Sequence, residues 1–191
     1  MNTRTTTFKQ PEMHQDFATA LPTCCDALRG ESRSAISGHI NQIRADIEAG
    51  TPMDPFYTVA CGDAALRILV RGPGAAEKEL SVSAVTRLVK LSSPEWVLFV
   101  SKAWTVEGLS DKDSQLYVER HGSFKHHPKV VDSAYFVLET QQGMSCAIGE
   151  VLKAPPSKKR RKLATTTAWQ SGKMSGLFAG VLNRSTAPLE T

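Results

Sequence analysis

Trp96-Val97-Leu98-Phe99-Val100-Ser101-Lys102-Ala103-Trp104 is the most apolar run in the chain, and Pro94 and Gly108 bound it. A run of this kind predicts a central β-strand buried on both faces. Its period of two puts Trp96, Leu98, Val100, Lys102 and Trp104 on one side. Core packing accounts for the indoles. Lys102 beside them needs either solvent or a carboxylate partner, and would be a lysine of lowered pKa if buried.

Upstream of this strand, Leu80, Ala84, Leu88 and Leu91, with Val85 and Val89, follow helical spacing from Ala75 to Leu91, and Pro94 closes the element. Gly72-Pro73-Gly74 separates that helix from two short strands, Phe56 to Cys61 and Leu66 to Arg71, which turn at Gly62-Asp63. Leu66, Ile68 and Val70 share one side of the second strand and Arg67, Leu69 and Arg71 the other, so one face of the sheet is partly solvated. Further back, Ile36, Ile40, Ile43 and Ile47 step by helical intervals and define a helix from Ser34 to Ala49, stopped by Gly50 and Pro52. Residues 1–31 are polar, with Phe8, Phe17 and Leu21 as the available anchors, and read as a poorly ordered or loosely docked arm.

Downstream lies a long connection in which Leu116 to Val118 reads as a short strand. Ala134 to Thr140 and Met144 to Leu152 form a second hairpin around Gln141, Gln142 and Gly143. The chain continues through a basic loop from Lys153 to Lys162, an extended stretch from Leu163 to Trp169, and a terminal helix from Gly172 to Leu182 that docks through Leu177, Phe178, Val181 and Leu182. The expected fold is α+β, one domain over residues 32–182 with a tail at 183–191. A mostly antiparallel sheet of roughly five to seven strands carries both amphipathic helices on one face and projects a basic hairpin loop.

The charge is segregated. From Lys153 onward there are eight Lys or Arg and one acid, Glu190, which leaves 15 basic and 18 acidic residues in the preceding 152. The net charge of +4 therefore conceals an acidic body and a cationic C-terminal part. Clustered cations attract phosphate polyanions and acidic surfaces. The four cysteines, Cys24, Cys25, Cys61 and Cys146, include no Cys-x-x-Cys pair, so no zinc ribbon or dithiol redox motif is present and reduced thiols are expected. With no secretory signal pattern near the start and no apolar stretch long enough to cross a bilayer, a cytoplasmic protein is expected.

Lys153, Lys158, Lys159, Arg160, Arg161 and Lys162, with Lys173, form the candidate binding set. Such a run neutralises phosphates without reading sequence, matches a crude nuclear-localisation pattern, or is simply a solvated hairpin tip. Aromatic side chains, which favour single strands, are absent within it, and Trp169 is the one nearby. His121, His126 and His127 lie in the long connection near Asp111, Asp113, Glu119 and Asp132, but the spacing fits no metal motif. Gly172-Lys173-Met174-Ser175 lacks the first glycine of a phosphate-binding loop. No catalytic or metal-binding residue and no cofactor is assigned. The expected function is a non-enzymatic binding or accessory protein, of the kind mobile elements carry, that meets nucleic acid or an acidic protein partner. The alternative is a small enzyme with a pocket between strand 96–104 and the histidines at 121–128.

Three fragments in this order resemble a group of small bacterial proteins of unknown function: Val97 to Trp104, His127-Pro128 ahead of Ala134 to Leu138, and Gly176, Phe178, Val181 and Leu182 near the end. The resemblance spans residues 56–182 and implies an α+β fold without implying an activity. Where that group has Glu, this chain has Lys102.

Overall fold

A computed structural model describes residues 20–61, 64–72, 74–106, 108–152, 162–165, 169–171 and 180–182. Helix α1 (Gly30–Glu48) leads into the hairpin β1 (Phe56–Cys61) and β2 (Ala64–Leu69), then α2 (Ala75–Ser92) and β3 (Trp96–Val106). After α3 (Asp111–His121) and a 3-10 turn at Phe124–His126 come β4 (Val130–Thr140), β5 (Gly143–Leu152), β6 (Lys162–Thr165) and β7 (Gln170–Ser171). The seven strands make one antiparallel sheet in the order β2-β1-β3-β4-β5-β6, with β7 also paired to β5, and the sheet curls into a half-barrel.

Alternation along the strands divides the interior into two cores. On one face Ile36, Ile40, Ile43 and Ile47 of α1 pack with Phe56, Trp96, Leu98, Val100, Phe136, Leu138 and Leu163. On the other, Val82, Val85 and Val89 of α2 pack with Tyr57, Val59, Val97, Phe99, Val137, Val181 and Leu182. The two helices therefore lie on opposite faces, which corrects the expected placement on one. The reason is in β3 itself: five consecutive buried residues, Trp96 to Val100, would leave Val97 and Phe99 in water under a single helical layer. Beyond Val100 the strand is only partly covered, so burial on both faces holds for its first half.

Helix α2 also buries a different stripe from the one its leucines suggest. Leu80 is 71% and Leu91 86% exposed, while Val82, Val85 and Val89 are buried. This helix has apolar residues on two sides, and the valines, stepping by three and four, face the sheet. Leu80→Lys and Leu91→Lys are expected to shift stability by no more than about 0.5 kcal/mol, whereas Val85→Asp prevents folding. Denaturant melts of the two lysine variants and circular dichroism of Val85→Asp check the orientation, and a large loss at Leu80 would reverse it.

The connection after β3 is helical, so the short strand expected at Leu116 to Val118 is not there. Ser110 caps α3 by accepting the Asp113 N–H at 3.1 Å, and Gly122 ends it at φ 77°, a left-handed conformation that favours glycine. α1 begins at Gly30, ahead of the expected Ser34, and the preceding turn Thr23–Cys25 buries Cys24 and Cys25 in the α1-side core. Within the expected N-terminal arm, Leu21, Cys24, Cys25 and Leu28 thus pack in the α1-side core, and residues 1–19 lie outside the described part. Val181 and Leu182 are buried as expected. The rest of the proposed terminal helix, with Leu177 and Phe178, also lies outside the described residues.

Candidate nucleic-acid interface

Of the cationic set, Lys162 is described and is exposed at the start of β6. Lys153, Lys158, Lys159, Arg160, Arg161 and Lys173 lie outside the described residues. The structure does fix the frame of the run. Leu152 and Lys162 are paired residues of antiparallel β5 and β6, so both roots of the segment between them are held side by side. β4 begins at Val130 and β3 ends at Val106, and these two are also paired. With Ser133 opposite Glu150, the end of β3, the start of β4, the end of β5 and the start of β6 all lie at one end of the sheet. The basic run and the histidine-bearing connection therefore spring from neighbouring strand ends.

Arg67 does not extend this surface. It sits in β2, at the opposite edge of the sheet, with its guanidinium 4.0 Å above the Phe56 ring and 3.9 Å from an Asp46 oxygen. Arg71 follows β2 and is exposed.

In the connection, Tyr117 organises the aromatic rings. It stacks on Phe124 at 5.6 Å between centroids, meets His121 at 4.4 Å, and takes His127 edge-on at 4.8 Å. His127 Nδ1 accepts the Lys129 N–H at 3.1 Å, which fixes the turn into β4. His121 and His126 are exposed. Among the described residues no three of His, Cys, Asp and Glu converge as a metal site. The 3-10 turn at Phe124–His126 packs against β3 and β4, carrying Lys125 and His126 to the same end of the sheet.

Lys102 meets both of its expected needs. Its side chain is half exposed and its Nζ lies 3.1 Å from Asp132 Oδ1, with the Trp104 ring centre 5.8 Å away. Trp104 is paired across to Asp132 and remains 36% exposed, whereas Trp96 on the same face is 2% exposed.

At the far end of the sheet, Arg29, Ser32, His39, Glu95 and Trp96 line an open groove of about 480 Å³. Three of its polar groups, Arg29, Ser32 and Glu95, are bonded to one another. Glu95 accepts from Ser32 Oγ at 2.5 Å and from Arg29 Nη2 at 2.8 Å, and these bonds, the first the stronger, hold its carboxyl below the usual range. His39, 5.7 Å from the Trp96 ring, is held below its ordinary pKa by burial and then by the Arg67 charge. The groove bridges α1 to the start of β3.

Two buried polar devices escaped the sequence reading. Glu139, 1% exposed, accepts the N–H groups of Gly180 at 2.8 Å, Val181 at 3.2 Å and Leu182 at 2.9 Å. Its carboxylate thereby clamps the C-terminal segment over the α2-side core. Its position on the buried row with Val137 was the available signal. The second device is the Cys24–Cys25 pair. The bond between the two thiols, with help from Ser145 and Thr140, holds Cys24 below the usual thiol range against the opposing effect of burial, and the same bond together with burial pushes Cys25 up. Thr140 Oγ1 donates to the Cys24 carbonyl at 2.6 Å and pins this turn to β4. All four cysteines are free thiols.

Set against protein-family models, curated proteins and solved structures, the chain matches none. Among the described residues no helix is long and apolar enough to cross a membrane.

Proposed function

We propose that this chain is a non-enzymatic binding protein that holds nucleic acid through the cationic segment between β5 and β6. One observation carries the reading: five consecutive cations, Lys158 to Lys162, lead into β6, whose first residue Lys162 is paired with Leu152 at the end of an otherwise acidic domain. Paired roots hold both ends of the cationic segment side by side, and clustered charge raises the local potential that a phosphate backbone meets. The exposed Lys125 and Lys129, at the same end of the sheet, add to it. Contacts of this kind give affinity without base specificity.

Each phosphate neutralised releases condensed counterion, so the salt dependence measures the contacts. With about four or five contacts, log K for duplex DNA falls against log salt with a slope near −4, at about −0.9 per contact. Replacing Lys158 to Lys162 with Ser flattens that slope by about the same amount and changes folding stability by no more than about 0.5 kcal/mol. Absence of binding to DNA or RNA at about 50 mM salt overturns the proposal, as does a slope unchanged by the replacement. Binding to acidic polypeptide with no affinity for nucleic acid would assign the run to an acidic protein partner.

A further inference from the structure

We propose that the outward face of α2 docks a second copy of this chain, the two helices packing antiparallel about a two-fold axis. Val82, Val85 and Val89 face the sheet, and the opposite side carries Leu80 and Leu91, 71% and 86% exposed, the two most exposed large apolar side chains among the described residues. With Ala84 and Arg87, both exposed, these leucines step by four, three and four residues, the spacing of a coiled-coil seam. The row lies in solvent along most of the helix.

The charges around the row decide what it fits. Beside it, the first half of α2 carries Glu77 and Glu79 and the second half Arg87 and Lys90, while Lys78, four residues before Val82, belongs to the sheet-facing row. A face that is acidic at one end and basic at the other complements itself when the second copy runs the opposite way. A parallel pair would gather the acids at one end and the bases at the other. Setting Leu80 against Leu91 of the second copy brings Ala84 beside its Arg87, whose stem covers the small residue. The same register puts Glu79 and Lys90, which flank the row on one side, across from each other at both ends. Each copy contributes one helix of 18 residues, about 27 Å long, so the interface is of the small class, below about 1,200 Å², and weak. At the dilution of a denaturant melt the copies are apart, and the stability stated above for the two lysine variants is that of the single chain.

Sedimentation equilibrium of the full chain tests this across about 5 to 500 μM, the range in which an interface of this size assembles. The weight-average mass is expected to rise from one chain toward two. Leu91→Lys is expected to weaken association about tenfold or more, because two-fold symmetry removes two leucine layers at once, with circular dichroism confirming that the variant folds. Glu79→Lys and Lys90→Glu each weaken it as well, by setting like charges together at both ends. An equimolar mixture of those two variants restores association, since every flanking pair then joins opposite charges. A native chain that stays at one mass up to about 500 μM overturns the proposal and leaves the face to a different partner. Association that survives Leu91→Lys overturns it too, by moving the contact to another surface. A mixture that fails to recover overturns the antiparallel pairing.

Discussion

Glu139→Ala is expected to lose about 3–5 kcal/mol of folding stability, from three buried donors left without their charged acceptor. The carboxylate collects the N–H groups of Gly180, Val181 and Leu182, and the last two residues are buried beneath the sheet. Removing it leaves the backbone donors either unpaired in a dry site or drawn out to water, with Val181 and Leu182 withdrawn from Phe99 and Val137. Glu139→Gln keeps one oxygen but points an NH2 group at a donor, so it recovers only part of the loss. Denaturant midpoints measure both variants, and hydrogen exchange at Val181 and Leu182 localises the effect. A midpoint for Glu139→Ala within about 1 kcal/mol of the native protein would show that the carboxylate does not hold the segment.

Phe99→Asp and Ile40→Asp are each expected to abolish folding, although they strike different cores. Phe99 packs beside Tyr57 at 4.9 Å on the α2 side, and Ile40 is fully buried under α1 on the other. An unpaired carboxylate in either place costs several kcal/mol, comparable to the whole stability of a domain of this size. The milder Phe99→Ala is expected to fold with a loss of about 3–5 kcal/mol. Circular dichroism and solubility decide the outcome. A soluble, cooperatively melting Ile40→Asp would mean that α1 is dispensable, and the two-core arrangement would be wrong.

The parts of this fold that were legible in the sequence are those with one apolar stripe and one partner. The isoleucines of α1 form a single stripe, so both its existence and its buried face could be read. β1, β3, β4 and β5 carry alternation or continuous apolarity bounded by turn residues, and they lie where expected. α2 was legible as a helix and not as an orientation, because Leu80 and Leu91 compete with Val82, Val85 and Val89 and only the sheet decides between them. α3 is polar around most of its circumference. Its remaining signals were the Ser110 cap and the Gly122 stop, which periodicity does not weigh. That the β3–β4 connection and the roots of the β5–β6 connection meet at one end of the sheet depends on pairing across four strands, a relation that local spacing does not contain. Glu139 looked like any acid at a hairpin until the backbone of residues 180–182 was beside it.

The Glu139 clamp also sets the order in which the molecule can be completed. During synthesis the N-terminal part emerges first, and α1 can close over its face of the sheet once β6 has left the ribosome. The opposite face must wait for Val181 and Leu182, so a nascent chain halted a few residues short carries an unanswered carboxylate and open valines. For this protein the second half of the interior is sealed in a late step by three backbone amides, and a chain truncated before Gly180 is a natural substrate for quality control.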